Sequence, residues 1–173
     1  PCDPVMNGLT ALGYTLCSQK PIDLVVLFLG TNDLKFTNAF GSASGIDTLL
    51  HRILNANVYY PGSCPIFYDA PKVLLIAPHP THPKIGELLY GFNFGPEAYE
   101  KSVRLGEEYR AIAEKYGCGF LDCAELGFEL NEIDGLHFDY IRYNHNANGW
   151  SEKDFEENRK KVTGILSRIR LED

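Results

Sequence analysis

Apolar positions recur along this chain first at helical and then at strand spacing. Leu9, Leu12, Leu16 and Cys17 predict a helix from Asn7 to Ser18, with Asn7 as its N-cap and Pro21 ending it. Ile22 to Leu29 is an unbroken apolar run, the pattern of a parallel strand buried on both faces in the middle of a sheet. Phe36 to Ser44, rich in Gly, Ser and Ala, reads as a loop, and Ile46 to Leu54 as a helix with Asp47 in its first turn. Val58 to Pro71 reads as an excursion across the surface. Val73 to Ala77 is a second buried strand, stopped by Pro78 and followed by an irregular aromatic stretch through Phe94. Loops this long in a compact domain are usually functional or mobile.

Pro96 suits the first turn of a strong helix running to Tyr116, and Gly117 is its natural C-cap. Tyr99, Val103, Gly106, Ile112, Ala113 and Tyr116 form its predicted inner face. Phe120-Leu121 is a short strand entering Asp122. Ser151 caps a last helix that turns Phe155, Val162, Ile165, Leu166 and Ile169 inward. Alternating strands and helices predict an α/β fold, with a parallel sheet and helices on both faces.

The chain has 173 residues, so residues 1–173 are read as one domain. Hydrophobic residues make up 45 % of it, too many for a disordered chain. Net charge is −7, and no basic cluster precedes the last helix, so neither nucleic acid nor an anionic membrane surface is an expected partner. Five cysteines, an odd number without a CxxC, argue against a zinc site or a disulfide framework. Free thiols point to a reducing, cytoplasmic setting. No apolar run reaches the ~18 residues of a membrane helix, and no signal peptide is visible, although the chain starts at Pro1 without an initiator Met.

The chemistry concentrates in two polar turns. Gly30-Thr31-Asn32-Asp33 follows the first strand, at the carboxyl edge where open α/β sheets bind ligands. Gly30 allows a sharp turn, and Asn32 offers a side-chain amide to a cleft, as an oxyanion-hole donor requires. The plainer reading is a residue that only caps the next turn. Asp134-Gly135-Leu136-His137 is the second turn. A carboxylate on the Nδ1–H of a histidine fixes its tautomer for general-base work. The plainer reading is a surface turn.

Other candidates are weaker. His79 and His82 lie among prolines and suit a pocket-lining loop better than a metal site. Asp122 and Cys123 read as structural. Tyr90, Phe92 and Phe94 would line an acyl or aryl pocket, or cover the core. Gly41-Ser42-Ala43-Ser44-Gly45 mimics a nucleophile elbow but has Ala43 at its centre, so it reads as a flexible loop.

From Asn7 to about His137 the chain resembles the SGNH (GDSL-like) hydrolases. The residues that carry this are Asn7-Gly8-Leu9, Pro21-Ile22-Asp23-Leu24-Val25, Gly30-Thr31-Asn32-Asp33-Leu34-Lys35 and Asp134-Gly135-Leu136-His137. With Ala70-Pro71-Lys72-Val73-Leu74 and the Pro-rich Pro78 to Pro83, they look most like the arylesterase/acyltransferase branch. The resemblance implies a three-layer α/β/α sandwich with a parallel sheet, flavodoxin-like. It implies His137 as general base, Asp134 as its orienting acid, and Asn32 in the Gly30 turn as oxyanion donor. It also implies a small-molecule ester substrate and no metal or organic cofactor. A homo-oligomer stays open.

Two departures stand out. The family's nucleophile follows Gly-Asp, and none of the seven serines here does. The match begins inside the family pattern, so an N-terminal strand–helix–strand portion is expected to be missing, leaving a sheet short of two strands with an unpaired edge. The chain would then be an esterase portion inactive alone, or a non-catalytic binding fragment. After His137, Phe138 to Tyr143 intervenes before the last helix. Ile133 to Tyr143 also resembles a barrel strand of some glycoside hydrolases, which would place Asp139 and Arg142 in a sugar cleft. A chain of 173 residues with no eightfold βα pattern is too short for that barrel.

Overall fold

The computed structural model of the chain describes residues 7–88, 91–127, 130–137, 156–157, 159–160 and 163–164. Helix α1 spans Gly8–Gln19, and the Asn7 side chain caps it by accepting the Leu9 N–H at 2.9 Å. Leu12 and Leu16 are buried, but Cys17 lies on the exposed side.

Three parallel strands follow in chain order: β1 (Leu24–Phe28), β2 (Lys72–Ala77) and β3 (Gly119–Asp122). The register pairs Leu24 with Lys72, Phe28 with Ile76, Leu74 with Gly119 and Ala77 with Asp122. The central strand is therefore β2. The expectation that Ile22 to Leu29 is central and buried on both faces is corrected: among the described residues β1 is an edge, with Val26 and Phe28 53 % and 50 % exposed. The physical reason is the period-2 alternation of a strand. Val25, Leu27, Val73, Leu75 and Ala77 face the main core with the helices. Leu24, Leu74, Ile76 and Leu121 face the other way, covered near β3 by the 3-10 turn Cys123–Leu126. Val26 and Phe28 share that second face, beyond the reach of the cover.

Helix α2 runs from Ala39 to Leu54, with the Asn38 side chain accepting the Gly41 N–H at 2.9 Å. Phe36 to Ser44 is thus not a loop throughout, and the Ser42 segment is helical. The helix begins early because Ala39, Ser42 and Ala43 extend the buried stripe of Ile46, Leu49, Leu50 and Ile53 by two turns. A short helix, α3 (Ala56–Tyr59), opens the excursion that was expected to cross the surface. That excursion is pinned inward at Ile66 and Phe67, both buried. Asn57 holds them, donating to the Phe67 carbonyl at 2.7 Å and accepting the Ile66 N–H at 2.7 Å.

The single helix expected from Pro96 to Tyr116 is two: α4 (Ala98–Ser102) and α5 (Leu105–Tyr116). The buried stripe is Ala98, Ser102, Leu105, Tyr109 and Ala113, and Val103 is exposed. Gly117, at φ 67°, closes α5 in the left-handed conformation that favours glycine. Asp122 accepts the Ala124 N–H, and burial pushes the adjacent Cys123 thiol up to about 11. Among the described residues Cys17, Cys64, Cys118 and Cys123 are free thiols, and no helix is long and apolar enough to cross a membrane.

Tyr90, Asp139 and Arg142 lie outside the described residues, as do Cys2 and the last helix's Ser151, Phe155, Val162, Ile165, Leu166 and Ile169. The described positions between 156 and 164 are helical. An open parallel sheet flanked by helices is not a barrel, so the glycosidase-strand reading has no support in the fold.

Candidate active site

Where β1 ends, the chain reverses at Gly30, whose φ of 126° no L side chain adopts without strain. A Cβ there would also overlap the Tyr109 hydroxyl. The 3-10 turn Thr31–Lys35 follows, closed by the Asp33 N–H donating to the Gly30 carbonyl at 3.0 Å. Leu34 is fully buried and anchors the turn, while Asn32 points outward and its side chain makes no hydrogen bond among the described residues.

Beneath the turn lies a buried hydroxyl pair. The Tyr109 hydroxyl lies 3.1 Å from the Leu29 carbonyl, and Ser42 Oγ lies 3.1 Å from Asp33 Oδ2. The two hydroxyls meet at 2.7 Å. Burial drives the Tyr109 hydroxyl strongly upward, so it stays protonated. Tyr109 did not stand out in the sequence, and Ser42 did so only within a pentapeptide read as a flexible loop. The legible signal was Asn38 as a helix cap, which would have placed Ser42 on a buried stripe.

The second turn is built by local hydrogen bonds. Asn131 Oδ1 accepts the N–H groups of Ile133 and Asp134, and Gly135, at φ 66°, donates to the Asn131 carbonyl at 3.0 Å. Asp134 Oδ1 accepts the Leu136 and His137 N–H groups at 2.8 and 3.0 Å. Asp134 Oδ2 lies 2.7 Å from His137 Nδ1, and a carboxylate there makes the imidazole nitrogen the donor. Burial pushes the Asp134 carboxyl up, but the hydrogen bonds from His137, Leu136 and Asn131 overcome it and hold the group at about 2. The Asp134 side chain is 18 % exposed and that of His137 80 %. The acid is thus held from below and the imidazole presented to solvent.

The loop after β2 supports this turn. The His82 N–H donates to the Gly135 carbonyl at 2.8 Å, and a Cβ on Gly135 would come within 2.7 Å of His82 Cβ and Leu88 Cδ1. His79 Nδ1 donates to the Pro80 carbonyl, whereas His82 Nδ1 accepts the Lys84 N–H. Both Nδ1 atoms are thus used within the loop. Among the described residues no group of three or more His, Cys, Asp or Glu could hold a metal ion.

Asp134 and His137 are therefore brought together. No hydrogen bond among the described residues joins them to Asn32; the link runs through residues 91–94. Gly91 packs against the Asp134 carbonyl, and the Lys35 ammonium lies 4.5 Å from the centre of the Phe94 ring. Phe94 is buried and belongs to the core, and the side chain of Phe92 lies outside the described set. A separate cleft of about 550 Å³ opens between the start of α2 and α4–α5, lined by Asn38, Phe40, Glu97 and Arg104 among others. It contains none of the predicted site residues.

No protein-family model matches the chain, and no curated protein sequence does. Solved structures do. The aryl esterase of M. smegmatis superimposes with a TM-score of 0.72 at 25 % identity, over 98 % of this chain and 71 % of that one. A carbohydrate acetylesterase from Sinorhizobium meliloti gives 0.70 at 27 % identity, over 96 % and 71 %. A carbohydrate acetylesterase family member from the same organism gives 0.64 at 29 % identity, over 76 % and 60 %. The chain thus spans 60 to 71 % of the length of these structures. A parallel sheet with its polar turns at the carboxyl edge, superimposing on several esterases over most of its length, identifies the fold. The chain has the fold of the SGNH (GDSL-like) hydrolases.

Proposed function

We propose that this chain carries the acid/base and oxyanion parts of a serine ester hydrolase for short acyl esters of aryl or sugar alcohols. The observation that carries the reading is the Asp134–His137 pair: an ionised, three-fold hydrogen-bonded carboxylate 2.7 Å from Nδ1 of an outward-facing imidazole. With Nδ1–H committed to Asp134, Nε2 keeps its lone pair for a proton. In this reading a serine hydroxyl of the Gly-Asp-Ser type that the family resemblance implies, and that this chain does not contain, attacks the ester carbonyl carbon as Nε2 takes its proton. Asn32, held in the Gly30 turn, donates to the oxyanion. The intermediate then collapses, His137 protonates the departing alcohol, and water activated by His137 releases the acid. These steps need no metal or organic cofactor. Similarity to an aryl esterase and to carbohydrate acetylesterases supports the substrate class.

The test is hydrolysis of p-nitrophenyl acetate by the full-length protein containing this chain. His137→Ala is expected to lower kcat/KM by about a thousandfold or more. An unchanged rate sinks the assignment, and no turnover by the full-length protein favours a binding module instead. Expressed alone, the 173-residue chain should resist fluorophosphonate labelling. Ser42 and Ser102, for example, are buried and hydrogen-bonded.

A further inference from the structure

We infer that Tyr109 and Ser42 are positioning residues for Asn32, a buried hydroxyl pair that braces the oxyanion turn from below. The inference rests on the proposed role of Asn32. A buried hydroxyl costs stability unless it is paired, so a tyrosine that only filled the core would do better as phenylalanine. Among the described residues, both hydrogen-bond partners of the Tyr109 hydroxyl belong to this brace: Ser42 Oγ at 2.7 Å and the Leu29 carbonyl at 3.1 Å. Ser42 extends the contact to the Asp33 carboxylate. Leu29 and Asp33 flank Gly30-Thr31-Asn32, so the brace grips the turn on both sides of the donor.

The fit is close. The Tyr109 hydroxyl occupies the space a Cβ on residue 30 would need, with Ser42 Oγ 2.9 Å from that same point. Two hydroxyl hydrogens serve three short contacts. The 2.7 Å contact is the shortest and holds one of them, so the second braces Leu29 or Asp33 in turn. Because Tyr109 sits on α5 and Ser42 on α2, the helix layer sets where Asn32 stands.

The experiment compares Tyr109→Phe, Ser42→Ala, Asn32→Ala and the Tyr109→Phe/Asn32→Ala double variant of the full-length protein on p-nitrophenyl acetate. Tyr109→Phe should lower kcat about tenfold with KM within about twofold, a part of what losing the donor costs. The double variant should be no slower than Asn32→Ala, because a brace without its donor has nothing to position. A multiplicative loss in the double variant overturns the inference while leaving the role of Asn32 standing. Full activity in Asn32→Ala removes the role of Asn32, and the inference with it. A second readout needs no turnover: Asp33 amide exchange should quicken about tenfold in both Tyr109→Phe and Ser42→Ala, with the Cys118 amide at the end of α5 unchanged. Equal Asp33 exchange in wild type and variants also overturns it.

Discussion

Asp134 accepts two backbone N–H groups and an imidazole N–H, and this sets how the turn responds to acid. Its folded pKa, about 2, lies below the ordinary carboxylate value of about 3.9. A depressed pKa contributes stability that is complete above about pH 4 and is lost as pH falls towards about 2. Denaturant titrations at stepped pH should show this loss in the wild type and a flatter profile in Asp134→Asn. Identical profiles would mean that Asp134 is not the group responsible. Gly30 gives a second test. Gly30→Ala forces a side chain into φ 126° and onto the Tyr109 hydroxyl, and should cost about 1–3 kcal/mol or more, read from the urea midpoint. A midpoint equal to wild type would show that the turn relaxes freely. Asp134 and His137 were legible in the sequence because three residues and a glycine suffice to make their turn. Ser42 and Tyr109 are 67 positions apart, and no local pattern joins them.

At the scale of elements, α2 shows where local preference yields to packing. Gly41 and Gly45 are poor helix formers, and serines compete for backbone hydrogen bonds, so the stretch reads as a loop. Burial of Ala39, Ser42 and Ala43 against the core, with the Asn38 cap, reverses that preference. Asn38→Ala should therefore cost about 1 kcal/mol of stability by denaturant titration. No loss would mean that core burial alone nucleates the helix. The α4–α5 break is the converse case. One hydrophobic pattern was read through Val103, but the buried stripe runs one position to its side, through Ala98, Ser102, Leu105, Tyr109 and Ala113. Strands were easier, since β2 and β3 are short apolar runs bounded by proline, glycine and aspartate.

For the whole molecule, the second face of the sheet matters most. Val26 and Phe28 stand exposed on β1, and among the described residues no strand pairs with its outer edge. An open edge beside an apolar face is a template for association. The 173-residue chain on its own should self-associate with concentration in light scattering, and Phe28→Lys should shift it towards monomer. A monomer at all concentrations would show that this surface is not adhesive. By itself the sequence determined the α/β class, the parallel strands, and the polar turns bearing Asn32 and the Asp134–His137 pair, because each depends on neighbours a few residues away. Tertiary structure alone decided that β2 rather than β1 is central, that the Ser42 segment is helical, and that Tyr109 reaches under Gly30. Those outcomes depend on which distant surfaces meet, and a period along the chain carries no record of that.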